Sequence, residues 1–218
     1  MLPRVKICCI GSLEEAKIAI SAGAAALGLV GHMPSGPGII SDDLIRDIAI
    51  KIPPGVTSFL LTSETDPEGI IRHHEKTRTH TIQLVDDIPD EAYAALRAAM
   101  PTVRLVQVIH VRDMDSLDEA LRKAAHVDAL LLDSGNPNLP VRELGGTGRV
   151  HNWDVSARIV EESRLPVFLA GGLHAGNIRQ AIDRVRPFGV DLCSGVRTNG
   201  QLDPRKLDDF FIALKTDL

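Results

Sequence analysis

The stretch Val5-Lys6-Ile7-Cys8-Cys9-Ile10-Gly11-Ser12-Leu13-Glu14-Glu15-Ala16 reads as a strand that turns directly into a helix. Residues 5–10 form a short, largely apolar run of the kind buried on both faces in a parallel sheet. Ser12-Leu13-Glu14-Glu15 is a capping box, with Ser12 accepting from the N3 amide and Glu15 reaching back. Ala16, Ile20 and neighbouring alanines give the helix one apolar face, and Gly23 ends it.

The same unit recurs along the chain without a break in composition that would mark a linker. Strands are expected at residues 26–31, 57–62, 81–85, 104–111, 129–133, 166–169 and 189–193. Helices are expected from Ser41 to about 52, from Asp66-Pro67 to about 77, from Pro89-Asp90-Glu91, over 116–125, from Asp154, over 175–185 and over 203–215. Asp66 is an N-cap with Pro67 at the first helical position. Eight strands, each followed by a helix, predict an α/β fold: a closed parallel (β/α)8 TIM barrel with outer helices, as a single domain over residues 1–218. A doubly wound open sheet is the alternative, but it usually needs fewer units in this length.

Composition narrows the function. The 218 residues carry a net charge of −5 and only 3% aromatics, which argues against nucleic acid or an anionic membrane as partner. No run of about 18 apolar residues appears, and no signal peptide or anchor is read at the N-terminus. Cys8, Cys9 and Cys193 fit neither a disulfide framework nor a zinc spacing. The expectation is a cytoplasmic, reduced protein, monomer or homodimer, without metal or cofactor.

Two ionisable side chains fall at the ends of strands that otherwise look buried: Cys8 and Asp133. Strand ends facing a common mouth are where barrel enzymes gather acid and base groups. Alternation along the strand puts Lys6 and Cys8 on one face and Ile7 and Cys9 on the other. Because lysine is unsuited to the helix layer, Lys6 and Cys8 are expected inside the barrel and Cys9 under the helices. Gly171-Gly172 and Ser194-Gly195 follow the seventh and eighth strands, where bare backbone amides can approach a phosphate. Gly145-Gly146-Thr147-Gly148 is a third donor-rich segment able to close over a ligand. Gln83 is a polar group for the substrate side, and Asp191 either lines the mouth or bonds to neighbouring strands. Cys9 and Cys193 read as packing residues, His73-His74 as solvated, and Arg112-Asp113 and Arg122-Lys123 as surface charge.

With these residues in place, the chain resembles the phosphoribosylanthranilate isomerase family. The resemblance rests on Val5-Lys6-Ile7-Cys8, Leu13-Glu14-Glu15-Ala16, Gly23-Ala24 and Ala26-Leu27-Gly28. It continues through Leu132-Asp133-Ser134, Gly145-Gly146-Thr147-Gly148 with Trp153-Asp154, Ala170-Gly171-Gly172-Leu173, Asn177, Val190-Asp191 and Ser194-Gly195-Val196. These matches run from residue 5 to about 196 in the family's order. They imply an Amadori rearrangement of N-(5-phosphoribosyl)anthranilate in tryptophan biosynthesis, with Cys8 as general base and Asp133 as general acid. Gly145, Gly146, Gly171, Gly172, Ser194, Gly195 and Gln83 would then hold the phosphorylated substrate. The chain also departs from the family pattern. Cys9 stands where Gly is usual, Gly38 where an Arg grips the substrate carboxylate, Val85-Asp86 for His-Gly, and Gln107 for a frequent Lys. His32, Arg142 and Arg149 are the candidate replacement cations. A related barrel isomerase for another phosphorylated sugar amine, or a non-catalytic phosphate-ligand binding protein, are the alternatives.

Overall fold

The computed structural model describes residues 2–135 and 150–215. Its strands are β1 (Arg4–Ile7), β2 (Ala26–Val30), β3 (Thr57–Thr62), β4 (Thr81–Leu84), β5 (Arg104–His110), β6 (Ala129–Asp133), β7 (Val167–Leu169) and β8 (Gly189–Leu192). They pair in parallel in sequence order, and β8 returns to β1, so the sheet closes into a barrel. The helices are α1 (Leu13–Ala22), α2 (Asp42–Ala49), α3 (Pro67–Thr77), α4 (Asp90–Ala99), α5 (Asp115–Ala124), α6 (Trp153–Glu162), α7 (Ile178–Val185) and α8 (Pro204–Lys215). A 3₁₀ turn at Ser194–Val196 and a small antiparallel hairpin, β9 (Arg197–Thr198) with β10 (Gln201–Leu202), separate β8 from α8; the sequence pattern did not reveal them.

Local chemistry explains the helix ends. The Glu15 amide donates to Ser12 Oγ at 3.1 Å, and Asp66 Oδ2 accepts from the Gly69 amide at 2.8 Å. The second half of the expected capping box is used differently. Glu15 Oε2 accepts from the Gly11 amide at 2.9 Å, and its carboxylate also binds Arg197 and the Leu202 amide. Tertiary partners have taken over a group that would otherwise serve only its own helix.

Two apolar layers follow from strand alternation. Outward residues such as Ile7, Leu27, Leu29, Leu60, Ile82, Leu130 and Leu132 pack against the helices. Inward residues, including Ala26, Val30, Phe59, Leu61, Val106, Val108, Leu131 and Phe168, fill the barrel. Gln107 belongs to the outward set: it accepts from the Tyr93 hydroxyl of α4 at 2.7 Å and donates to the Leu84 and Asp86 carbonyls. It is therefore not a mouth residue.

Two expectations about surface charge are corrected by packing. Lys123 is only 1% exposed, and its ammonium reaches the Ile88 carbonyl at 2.7 Å and Asp87 at 2.6 Å. His73 is also buried, with Nδ1 3.0 Å from Thr62 Oγ1 and Nε2 3.2 Å from Asp42. Both sit on helix faces that look polar in one dimension but lie against a neighbouring element in three.

Candidate active site

The C-terminal strand ends surround a cleft of about 700 Å³, the open space at its mouth included. β1 leads into it with Cys8, β4 contributes Gln83, β6 ends on Asp133, and β8 contributes Asp191. Gly171, Gly172 and Ser194 form the rim after β7 and β8, while Met33, Ser35, Gly36 and Pro37 arrive from the loop after β2. The resemblance marked that loop through Gly38, at the position of a carboxylate-gripping Arg, but not the lining by Met33, Ser35, Gly36 and Pro37. Gly145, Gly146, Arg142 and Arg149 lie outside the described residues.

Lys6 is fully buried beneath this cleft, with its ammonium 2.9 Å from Asp191 Oδ1. Burial alone would pull the lysine down, but the Asp191 charge and hydrogen bond, together with the neighbouring Cys8 and Cys9 sulfurs, outweigh it and hold the ammonium above its ordinary range. Asp191 thus fills both roles left open by the sequence, lining the cleft and bonding across strands. Burial nonetheless pushes its own carboxyl upward, against the pull of Lys6.

Asp133 is 7% exposed, and burial pushes its carboxyl up to about 6, aided by the nearby Asp191 charge and opposed by the Ser134 amide and Lys6. The Ser134 amide donates to Oδ1 at 2.8 Å. A carboxyl raised this far carries a proton closer to neutrality than an ordinary aspartate, as proton donation requires. Gln83 is buried at the cleft with its Oε1 unpartnered among the described residues. Within the same described set, no group of three or more His, Cys, Asp or Glu side chains is arranged to hold a metal ion.

Gly171 and Gly172 have φ of 83° and 62°, a left-handed pair that side-chain-bearing residues rarely adopt, and both line the cleft. Gly195 lies in the 3₁₀ turn behind Ser194, where an added Cβ would collide with the Leu173 carbonyl. It does not itself line the cleft. Its backbone packs the loops after β7 and β8 against each other.

Cys9 is not under the helices. β1 stops at Ile7, and Cys9 takes φ 61°, so strand alternation no longer applies and its side chain turns to the cleft. There its sulfur lies 2.8 Å from Cys193 Sγ, and Cys193 likewise lines the cleft. Gly38, at φ 79°, lies against Cys9: a Cβ there would sit 2.5 Å from Cys9 Cβ and 2.9 Å from its Cα. The two departures from the family pattern therefore meet in space, and Cys9 occupies ground that a residue-38 side chain would need. His32 lines a separate depression with Asp42, Glu64 and His73. Arg197, missed in the sequence, ties this corner together by donating to the Cys8 and Cys9 carbonyls and to Glu15.

A closed parallel barrel with a carboxyl, a thiol and a glycine-lined rim at one mouth defines a (β/α)8-barrel enzyme. The model of the N-(5'-phosphoribosyl)anthranilate isomerase family matches residues 5–213, and the chain belongs to that family. An N-(5'-phosphoribosyl)anthranilate isomerase of Methanocella arvoryzae is 34% identical over 207 residues, covering 95% of this chain and 93% of the relative. The crystal structure of phosphoribosyl anthranilate isomerase from Thermotoga maritima superimposes with a TM-score of 0.83 at 29% identity, covering 98% of this chain and 99% of that one. A second structure of such an isomerase, in complex with reduced 1-(o-carboxyphenylamino)-1-deoxyribulose 5-phosphate, gives 0.81 at 27% identity, with 98% and 99% covered.

Proposed function

We propose that Cys8 is the general base and Asp133 the general acid of the phosphoribosylanthranilate isomerase reaction of tryptophan biosynthesis. Asp133 protonates the furanose ring oxygen as the C1′–O bond breaks, and the anthranilate nitrogen lone pair forms the iminium. Cys8, as thiolate, removes the C2′ proton to give an enolamine, which tautomerises to the ketone. The substrate's own nitrogen supplies the electrons, so the chemistry calls for no cofactor.

The observation that carries this assignment is the shared cleft: Cys8 and Asp133 line one cavity, with the Asp133 carboxyl raised to about 6. Gly171, Gly172 and Ser194 are suited to the phosphate, and the apolar wall of Val30, Met33 and Pro37 to the aromatic ring. Gln83 Oε1 supplies an acceptor for a sugar hydroxyl or the amine hydrogen. Gly145 and Gly146 would close over the ligand, and Gly195 would support the phosphate rim. The protein would work in the cytoplasm as a monomer or homodimer. Among the described residues, no helix is long and apolar enough to cross a membrane.

Complementation of a tryptophan auxotroph lacking this step tests the substrate: growth is expected. Absence of growth from a folded, expressed protein would move the substrate to another phosphorylated sugar amine. Cys8→Ala and Asp133→Ala should each lower kcat by about 10²–10⁴. A rate within a few-fold of the parent would remove that residue from the mechanism.

A further inference from the structure

The acid–base chemistry leaves two thiols at the mouth without a task. Cys9 Sγ and Cys193 Sγ are 2.8 Å apart, come from opposite sides of the β1–β8 seam, and face the same open cleft as Cys8. We propose that Cys9 and Cys193 form an oxidisable dithiol, a modification site that a hydroperoxide entering the barrel mouth converts to an intramolecular disulfide.

Three features assign the parts. Cys9 is buried, whereas Cys193 is partly exposed and meets an incoming oxidant first. The hydrogen bond shared with Cys9 draws the Cys193 thiol downward, and the Arg197 guanidinium adds to this against the opposing effect of burial. The Cys9 thiol is pushed the other way, by hydrogen bonding to Cys193 and Cys8 and then by burial. A depressed thiol beside a cation is the nucleophile, and its protonated neighbour is the resolving group. The bridge needs a sulfur–sulfur bond of about 2.05 Å, so the contact closes by about 0.7–0.8 Å.

In the first step the Cys193 thiolate attacks one peroxide oxygen. The S–O bond forms, the O–O bond breaks, and the alkoxide leaves and takes a proton as the alcohol. Cys193 is then a sulfenic acid, oxidised by two electrons. Cys9 attacks that sulfur, the S–S bond forms, and hydroxide leaves with the Cys9 proton as water. Two thiols and one hydroperoxide thus give one disulfide, one alcohol and one water. Cys193 is the partner of Cys9 because their sulfurs are in contact, whereas a disulfide between the adjacent Cys8 and Cys9 would close a strained ring through one peptide bond. The consequence is that oxidant reaching the mouth is consumed beside Cys8 rather than on it. That protective meaning rests on the assignment of Cys8 as base; the bridge itself does not.

The test treats the purified full chain with one equivalent of hydrogen peroxide, blocks the remaining thiols with an alkylating agent and maps the peptides by mass spectrometry. Trypsin leaves Cys8 and Cys9 together on the peptide of residues 7–17, so fragmentation between them assigns the link. A Cys9–Cys193 bridge with alkylated Cys8, reversed by dithiothreitol, is the expected result. Cys193→Ser should slow thiol loss about tenfold, and Cys9→Ser given excess peroxide should carry Cys193 on to sulfinic acid, a step that consumes a second equivalent. Oxidation of Cys8 ahead of the other two, a bridge between two chains, or thiol loss in Cys193→Ser as fast as in the parent would each overturn the proposal. The mapping on the unmutated chain stays decisive if a variant fails to fold. No step reads turnover, so failure of the bridge and failure of the isomerase assignment remain distinct.

Discussion

Asp133 shows at one residue what an acid–base site does to stability. Its carboxyl sits at about 6 in the folded chain against an ordinary 3.8, because burial disfavours the charge. The folded state therefore binds that proton more tightly than the unfolded state. The associated stability is fully present below pH 3.8 and is lost as pH rises through about 6. The roughly two-unit shift corresponds to about 3 kcal/mol. Asp133→Asn should be more stable than the parent by up to about that amount at pH 8 and gain nothing near pH 4, as read by urea unfolding at both values. An equal gain at both pH values would show that the carboxyl is not perturbed. In activity the sign is the same: the population of free enzyme carrying the proton on Asp133 falls as pH climbs through about 6, and the pH profile of kcat/KM should show that group.

At the scale of single elements, the outcome turns on what lies across from a residue. The loop after β2 and the turn after β1 touch through Gly38 and Cys9, and Cys9 already holds a left-handed backbone costing about 1–2 kcal/mol. Gly38→Ala should cost about 1–3 kcal/mol in crowding, beyond the penalty of its own positive φ. Cys9→Gly should recover about 1 kcal/mol of that cost in a double-mutant cycle. Strict additivity would show the two positions to be independent. On α5, Lys123→Ala should lose about 2–3 kcal/mol, since it strips the buried Ile88 carbonyl of its donor and empties the space beside Tyr93. Arg122→Ala, one residue away and half-exposed, should change denaturant stability far less. Equal losses would mean that the burial of Lys123 contributes nothing.

For the whole molecule, barrel closure and the site are one event. Lys6 and Asp191 are register partners across the β1–β8 seam, the first and last strands of the sheet, and their ion pair lies under the cleft. Removing one partner leaves the other charge buried alone. Lys6→Met should therefore cost about 3–5 kcal/mol and lower Tm by about 6–20 °C, while Lys6→Met with Asp191→Leu should recover most of the loss. A single variant that melts with the parent would show that the seam does not depend on the pair. Eight strands with their helices were legible from local pattern, because apolar runs, N-caps such as Asp66-Pro67 and terminal glycines act over a few residues. Residues 57–62 and 129–133 even fall on the observed strand bounds of β3 and β6. Cys8, Asp133 and the Gly171-Gly172 turn were equally legible, since position at a strand end follows from the same pattern. By itself, then, the chain's order of residues determined the barrel and the stations of Cys8, Asp133 and the Gly171-Gly172 turn at its mouth. Tertiary structure alone decided that Cys9 faces inward, that His73 and Lys123 are buried, that Arg197 clasps the mouth, and that Cys9 meets Cys193. Those contacts join residues as much as 189 positions apart. Periodicity reports which face a residue occupies, whereas the neighbour it meets is set only when the barrel shuts.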